Sequence, residues 1–155
     1  TSRMVQEYTE DYYLPVFERS HQLVAPDLKR GLAYAEWRET LRQGWPQITV
    51  KSVQVPAEEI LIGTPVEMSA RVALGTLTPA DVQVQLYYSP LTSSGELRPD
   101  GEWVNMELAS SDGSEHTFKA SVTYVTSGDR GVSVRVLPAN PNLSSPFEPR
   151  LIRWA

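Results

Sequence analysis

Apolar residues recur at spacings of three and four as far as about Gln43 and at a spacing of two from Ile48 onward, so the stretch from Glu36 to Val50 divides the chain into a helical side and a strand side. On the helical side, Val5, Tyr8 and Tyr12 share one face with Met4 beside them, behind Thr1 or Ser2 as N-cap and ending before Leu14-Pro15. Gln6, Glu7, Glu10 and Asp11 form the other face, and the apolar stripe is too large to leave in water, so this helix needs a partner surface. A second helix is predicted from Pro26-Asp27, with aspartate as N-cap, to about Gln43. Its candidate buried positions are Leu28, Leu32, Ala33, Tyr34, Trp37 and Leu41. Residues 16–25 between the two read equally as a short helix or a loop. Arg38 and Arg42 complement the negative end of the second helix. Gly44 is placed to close it in the left-handed conformation, and Pro46 prevents it from resuming.

The strand side alternates. Ile48 and Val50 give way to Val53 and Val55, a change of phase that predicts a bulge near Ser52. Runs follow at 66–74, 82–88, 104–108, 118–124 and 132–136, then the pair Ile152 and Trp154, with turn residues between them. Seven short strands with polar turns predict a mainly β fold, an antiparallel sandwich of immunoglobulin or fibronectin type preceded by the helical segment. Gln83, Gln85, Arg71, Glu67, Ser133 and Arg135 are expected to point to solvent or to a partner surface. The segment 138–149, with four prolines, reads as an extended connector before an edge strand at 150–154.

Composition narrows the function classes. With 155 residues the chain is long enough for one ordinary core plus a helical extension. A net charge of -5 offers no basic field for a phosphate backbone, which removes nucleic acid as a partner. No apolar run approaches the roughly 20 residues of a membrane span. There is no cysteine, which excludes disulfides and thiolate chemistry and fits a cytoplasmic setting. The acidic opening does not read as a signal peptide, and a chain that begins on Thr1 already in helical pattern reads as cut from a longer one.

The stretch Ser2-Arg3-Met4-Val5-Gln6-Glu7-Tyr8-Thr9-Glu10-Asp11-Tyr12-Tyr13-Leu14-Pro15 resembles the helix after the catalytic region of bacterial and archaeal alpha-glucan phosphorylases, of the glycogen phosphorylase group. Trp37-Arg38, Trp45-Pro46, Gly63, Leu74-Gly75, Leu77, Pro79, Asp81-Val82 and Ile152-Arg153-Trp154-Ala155 are similar to the further helix and β-rich tail of short-form members. The resemblance implies that residues 1–45 are the last helices of a catalytic region and 46–155 a C-terminal β-sandwich domain, noncatalytic in itself. It implies as partners the upstream catalytic domains of the same polypeptide and the subunit contacts of a homo-oligomer. The intact enzyme would phosphorolyse alpha-1,4-glucan ends to glucose 1-phosphate, using pyridoxal phosphate held on a lysine of an upstream Rossmann-like domain. In this chain the lysines are Lys29, Lys51 and Lys119, none in the glycine-rich setting that a cofactor phosphate needs, so no cofactor is expected here.

Other chemistry is sparse. His21 and His116 lack a second ligand at metal spacing and are expected to be surface residues without chemistry. The carboxylates Glu10 with Asp11, Glu58 with Glu59, and Glu96, Asp100 and Glu102 read as solvating loops and helix faces. Sandwich modules bind polysaccharide on exposed aromatic faces, and Trp103, Tyr87, Tyr88 and Trp154 are the available platforms for an alpha-glucan. Trp103 and Tyr87 are out of phase with the core residues beside them. The preferred explanation of these outward rings is a surface on which the helix 27–43 docks, with Trp37 and Trp45 fixing the angle between helix and sandwich. An autonomous carbohydrate-binding module is the alternative. An immunoglobulin-like adhesion module is disfavoured, because the helices have no place in it.

Overall fold

The computed structural model describes residues 28–56 and 61–155, together with the single positions 16, 17 and 20. The predicted first helix with Tyr8, Tyr12 and Tyr13, the Asp27 cap, His21, and the carboxylate pairs 10–11 and 58–59 lie outside the described residues. The chain divides into two compact units, Thr1–Thr40 and Leu41–Ala155.

Helix α1 runs over Lys29–Gly44. Val16, Phe17 and Ser20 are also helical. Tyr34 and Leu41 are buried and Trp37 is half-buried, its ring stacked on Tyr34 at 5.7 Å. These three lie at spacings of three and four on one stripe. Leu28, Leu32 and Ala33 are exposed, contrary to expectation. At 3.6 residues per turn Leu32 points roughly 200° away from Tyr34, so one helix cannot bury both. Leu28 takes the left-handed conformation at φ 58°, and its carbonyl accepts the amide of Leu32.

The end of α1 differs from the expected glycine closure. Gly44 stays right-handed, at φ -80° and ψ -26°, and the chain tightens directly into a 3-10 turn over Trp45–Gln47 that contains Pro46. Glycine is needed there for space, because a Cβ would lie 2.7 Å from Leu77 Cγ. Trp45 is buried and its carbonyl accepts the Ile48 amide.

Eight strands follow: β1 Thr49–Gln54, β2 Pro65–Ala73, β3 Val82–Pro90, β4 Glu102–Asn105, β5 Glu107–Asp112, β6 Glu115–Thr123, β7 Arg130–Pro138 and β8 Arg153–Trp154. They form two antiparallel four-stranded sheets, in the orders β1-β2-β6-β5 and β4-β3-β7-β8. The predicted bulge is present, with the register slipping between Val50 and Ser52. The eighth strand arises at 104–108, expected as one strand. The chain pairs with β3 as far as Asn105 and with β6 from Glu107, so it leaves one sheet for the other at Met106. Met106 stays buried and its amide reaches the Val84 carbonyl at 2.8 Å, anchoring the crossover.

Alternate residues of both sheets make the interior: Val66, Met68, Ala70 and Val72 on β2, Phe118, Ala120 and Val122 on β6, Val84 and Leu86 on β3, Val134 and Val136 on β7. Tyr88 meets Tyr124 edge-on there, at 5.8 Å. In the first sheet the edge strand β5 is exposed throughout, whereas β2 and β6 behave as period-two alternation predicts, burying every second residue. The central strand of the second sheet does not. On β3, Gln85, Tyr87 and Ser89 are buried as well as Leu86 and Tyr88, so both faces of this central strand are covered. His116 is likewise buried rather than on the surface, with Nδ1 2.9 Å from Ser111 Oγ.

Candidate functional site

The outer face of the second sheet gathers the chemistry-bearing residues. Pairing register builds it in two rows: Asn105, Gln85, Arg135 and Trp154 from β4, β3, β7 and β8, then Trp103, Tyr87 and Ser133 from β4, β3 and β7. The Arg135 guanidinium carbon lies 5.6 Å from the Tyr87 ring, 5.8 Å from Trp103, 5.5 Å from Phe147 and 5.6 Å from Trp154. Such cation–π contacts contribute about 0.5–2 kcal/mol each according to desolvation. Burial pulls the Arg135 guanidinium below its ordinary value, with Tyr87 acting in the opposite sense.

Buried polar groups around it are satisfied in order. Arg135 Nε donates to Gln85 Oε1 at 2.7 Å, and Gln85 Nε2 donates to Asn105 Oδ1 at 3.1 Å. Gln85 is therefore held inside by partners, which explains its 2% exposure where solvent or a partner surface was expected. Tyr87 is 7% exposed and meets Trp154 edge-on. Its hydroxyl donates to the Arg98 carbonyl and accepts the Gly101 amide, which ties the 91–101 loop over the sheet. A Cβ at Gly101 would lie 2.6 Å from Tyr87 Cζ and 2.7 Å from the Tyr88 carbonyl oxygen, so this close approach needs glycine. Arg98 in turn holds Asp100 through two hydrogen bonds, which lower the Asp100 carboxyl from its ordinary value.

Of the sequence-named platforms, Trp103 is 50% exposed and Trp154 44%. Tyr87 is a buried member of the same cluster. Tyr88 belongs to the interior; its hydroxyl donates to Glu102 Oε2 at 3.0 Å, and burial, reinforced by Glu102, raises it above its ordinary value. Neither tyrosine presents an open ring face. Two residues that the sequence did not single out as platforms complete the site: Arg135, expected to point to solvent or to a partner surface, and Phe147, which lies in the proline-rich connector and is 46% exposed. Trp37 lies on α1 and Trp45 in the 3-10 turn after it, so neither belongs to the strands that build these rows.

Among the described residues no three His, Cys, Asp or Glu side chains are gathered as a metal site. Nor do the lysines fit pyridoxal phosphate. Lys119 is ion-paired to Glu67 at 2.7 Å, beside a depression lined by Glu67 and Glu107 that would repel a phosphate. Lys51 is exposed on β1 and Lys29 is exposed at the start of α1.

A family profile described as the glycogen phosphorylase C-terminal domain matches residues 45–155. The chain belongs to this family. It is 29% identical over 157 residues to a glycogen phosphorylase of Mycobacterium bovis, the alignment taking in 99% of this chain and 18% of the relative. Two glycogen phosphorylases of Mycobacterium tuberculosis, from strains CDC 1551 and H37Rv, match with the same identity and shares. The chain thus spans about 18% of the length of the curated relatives it matches. The matched stretch starts at Trp45, the buried indole of the 3-10 turn. Among the described residues no helix is long and apolar enough to cross a membrane.

Proposed function

We propose that this chain is a noncatalytic C-terminal segment of an alpha-glucan phosphorylase, with residues 46–155 as an immunoglobulin-like β-sandwich domain and 1–45 as the last helices of the catalytic region. The observation that carries this reading is the family match over residues 45–155, joined to relatives that are glycogen phosphorylases more than five times longer. The strand orders β1-β2-β6-β5 and β4-β3-β7-β8 support the sandwich, since they follow the two-sheet arrangement of immunoglobulin domains with one added edge strand. The parent enzyme would be cytoplasmic, would hold pyridoxal phosphate upstream and would release glucose 1-phosphate from alpha-1,4-glucan ends.

The segment's role in this reading is packing against the parent polypeptide or a second subunit. Val55, Leu61 and Ile62 are exposed around an open depression of about 570 Å³ that also takes in Tyr124 and Arg130, and Val125 is exposed beside Tyr124. Exposed apolar groups gathered in one place fit burial against another protein surface. Removing the stretch 46–155 from the parent is expected to lower its unfolding midpoint while the folded remainder keeps turnover within severalfold. Abolished turnover in a folded, cofactor-loaded remainder would overturn the noncatalytic assignment. A second reading, a carbohydrate-binding module that tethers the enzyme to glucan, is favoured by the half-exposed indoles Trp103 and Trp154 on either side of Arg135.

A further inference from the structure

We propose that the outer face of the β4-β3-β7-β8 sheet is a glucosyl-binding subsite centred on Arg135, with Trp103 and Trp154 as its stacking walls. This rests on the reading of the chain as part of an alpha-glucan phosphorylase, which supplies the sugar class; the geometry supplies the site. Arg135 makes one side-chain hydrogen bond, from Nε to Gln85, and its two Nη groups meet no acceptor among the described residues. Nor do the indole N–H groups of Trp103 and Trp154. A guanidinium flanked by four rings and half-buried is partly desolvated, and unused donors in such a place favour a ligand that brings acceptors. The depression on the β8 side of Arg135, lined by Tyr87, Leu97, Arg98, Pro99, Arg135 and Trp154, has a volume of about 350 Å³, and Trp103 stands outside it on the β4 side, its ring 5.8 Å from the guanidinium.

A pyranose meets both requirements. Its C–H face packs on an indole, and its adjacent hydroxyls accept from the paired Nη donors in the fork geometry of a guanidinium. The Gln85 and Asn105 amides fix the height of Arg135 from below, so the fork is held in place before the ligand arrives. The surroundings disfavour an anion. Arg98, the other cation lining the depression, is already neutralised by Asp100 through two bonds, and Glu96 and Glu102 flank the same loop. A neutral sugar meets no repulsion there, whereas an acidic peptide does.

The test is affinity electrophoresis of the 155-residue chain in native gels containing glycogen, with maltoheptaose titrated against tryptophan fluorescence and cellohexaose as the stereochemical control. Retardation by glycogen and quenching by maltoheptaose are expected, both weakened at least tenfold by Trp103→Ala and by Arg135→Met. Trp103→Ala removes a half-exposed ring and is expected to leave the unfolding midpoint nearly unchanged, so its loss of binding reports the site and not the fold. No retardation of the folded wild-type chain, or retardation undiminished in both variants, would overturn the proposal. Equal affinity for cellohexaose would overturn the alpha-glucan class, and retardation by polyglutamate in place of glycogen would overturn it in favour of an acidic partner. None of these results bears on whether the parent enzyme is a phosphorylase, which the truncation of 46–155 addresses separately.

Discussion

Replacing Trp45 by alanine is expected to lower the unfolding free energy of the β-rich unit by about 3–5 kcal/mol, the cost of emptying a buried indole site. Trp45 is 6% exposed and is held in a 3-10 turn whose carbonyl is bonded to Ile48, itself fully buried. Collapse around the cavity is restricted, because Gly44 beside it already lies against Leu77 with no room for a further carbon. Urea unfolding of the wild type and of Trp45→Ala, followed by far-ultraviolet circular dichroism, measures the loss. A change below about 1 kcal/mol would mean that the turn contributes little to the interior of the unit.

The second large effect separates two neighbouring residues that the alternating pattern treats as equals. Met106→Ala is expected to cost about 2–5 kcal/mol, and Leu108→Ala under about 1 kcal/mol. Met106 is 6% exposed at the point where the chain crosses between sheets, whereas Leu108 is 47% exposed on β5, the outermost strand of its sheet. Denaturant midpoints for the two variants compare them directly. Equal losses would indicate one uninterrupted strand over 104–108, with both side chains equally inside.

Why the sequence is silent at this crossover is clear from the residues themselves. Val104, Met106 and Leu108 keep the same phase on both sides of the change, so alternation runs through it unbroken. The bulge in β1 was legible for the opposite reason: Val50 and Val53 are out of phase, and only an inserted residue reconciles them. The helix–strand boundary was legible because the apolar spacing itself changes there. Its geometry was not, since Gly44 is selected by the bulk of Leu77, a residue more than thirty positions away.

The candidate site was half legible. Phase placed Trp103 and Tyr87 on the outer face, and both are there. Period-two reasoning assumes that the outer face of an antiparallel sheet is wet, which hid the burial of Gln85 and the central place of Arg135. The cover comes from the loops before β4 and before β8, which carry no periodicity from which to infer where they settle. Phe147 reaches Arg135 from the second of these loops, and the bond from Tyr87 to the Arg98 carbonyl fastens the first. Tyr88, one residue along from Tyr87, faces inward against Tyr124, so adjacency in sequence grouped two rings that the pleat separates.

The claim that this segment is noncatalytic is tested most directly by locating the cofactor lysine in the parent enzyme. Borohydride reduction of the pyridoxal-phosphate-loaded parent, followed by peptide mapping, is expected to place the pyridoxyl group on a lysine upstream of Thr1. A pyridoxyl group on Lys29, Lys51 or Lys119 would contradict the account.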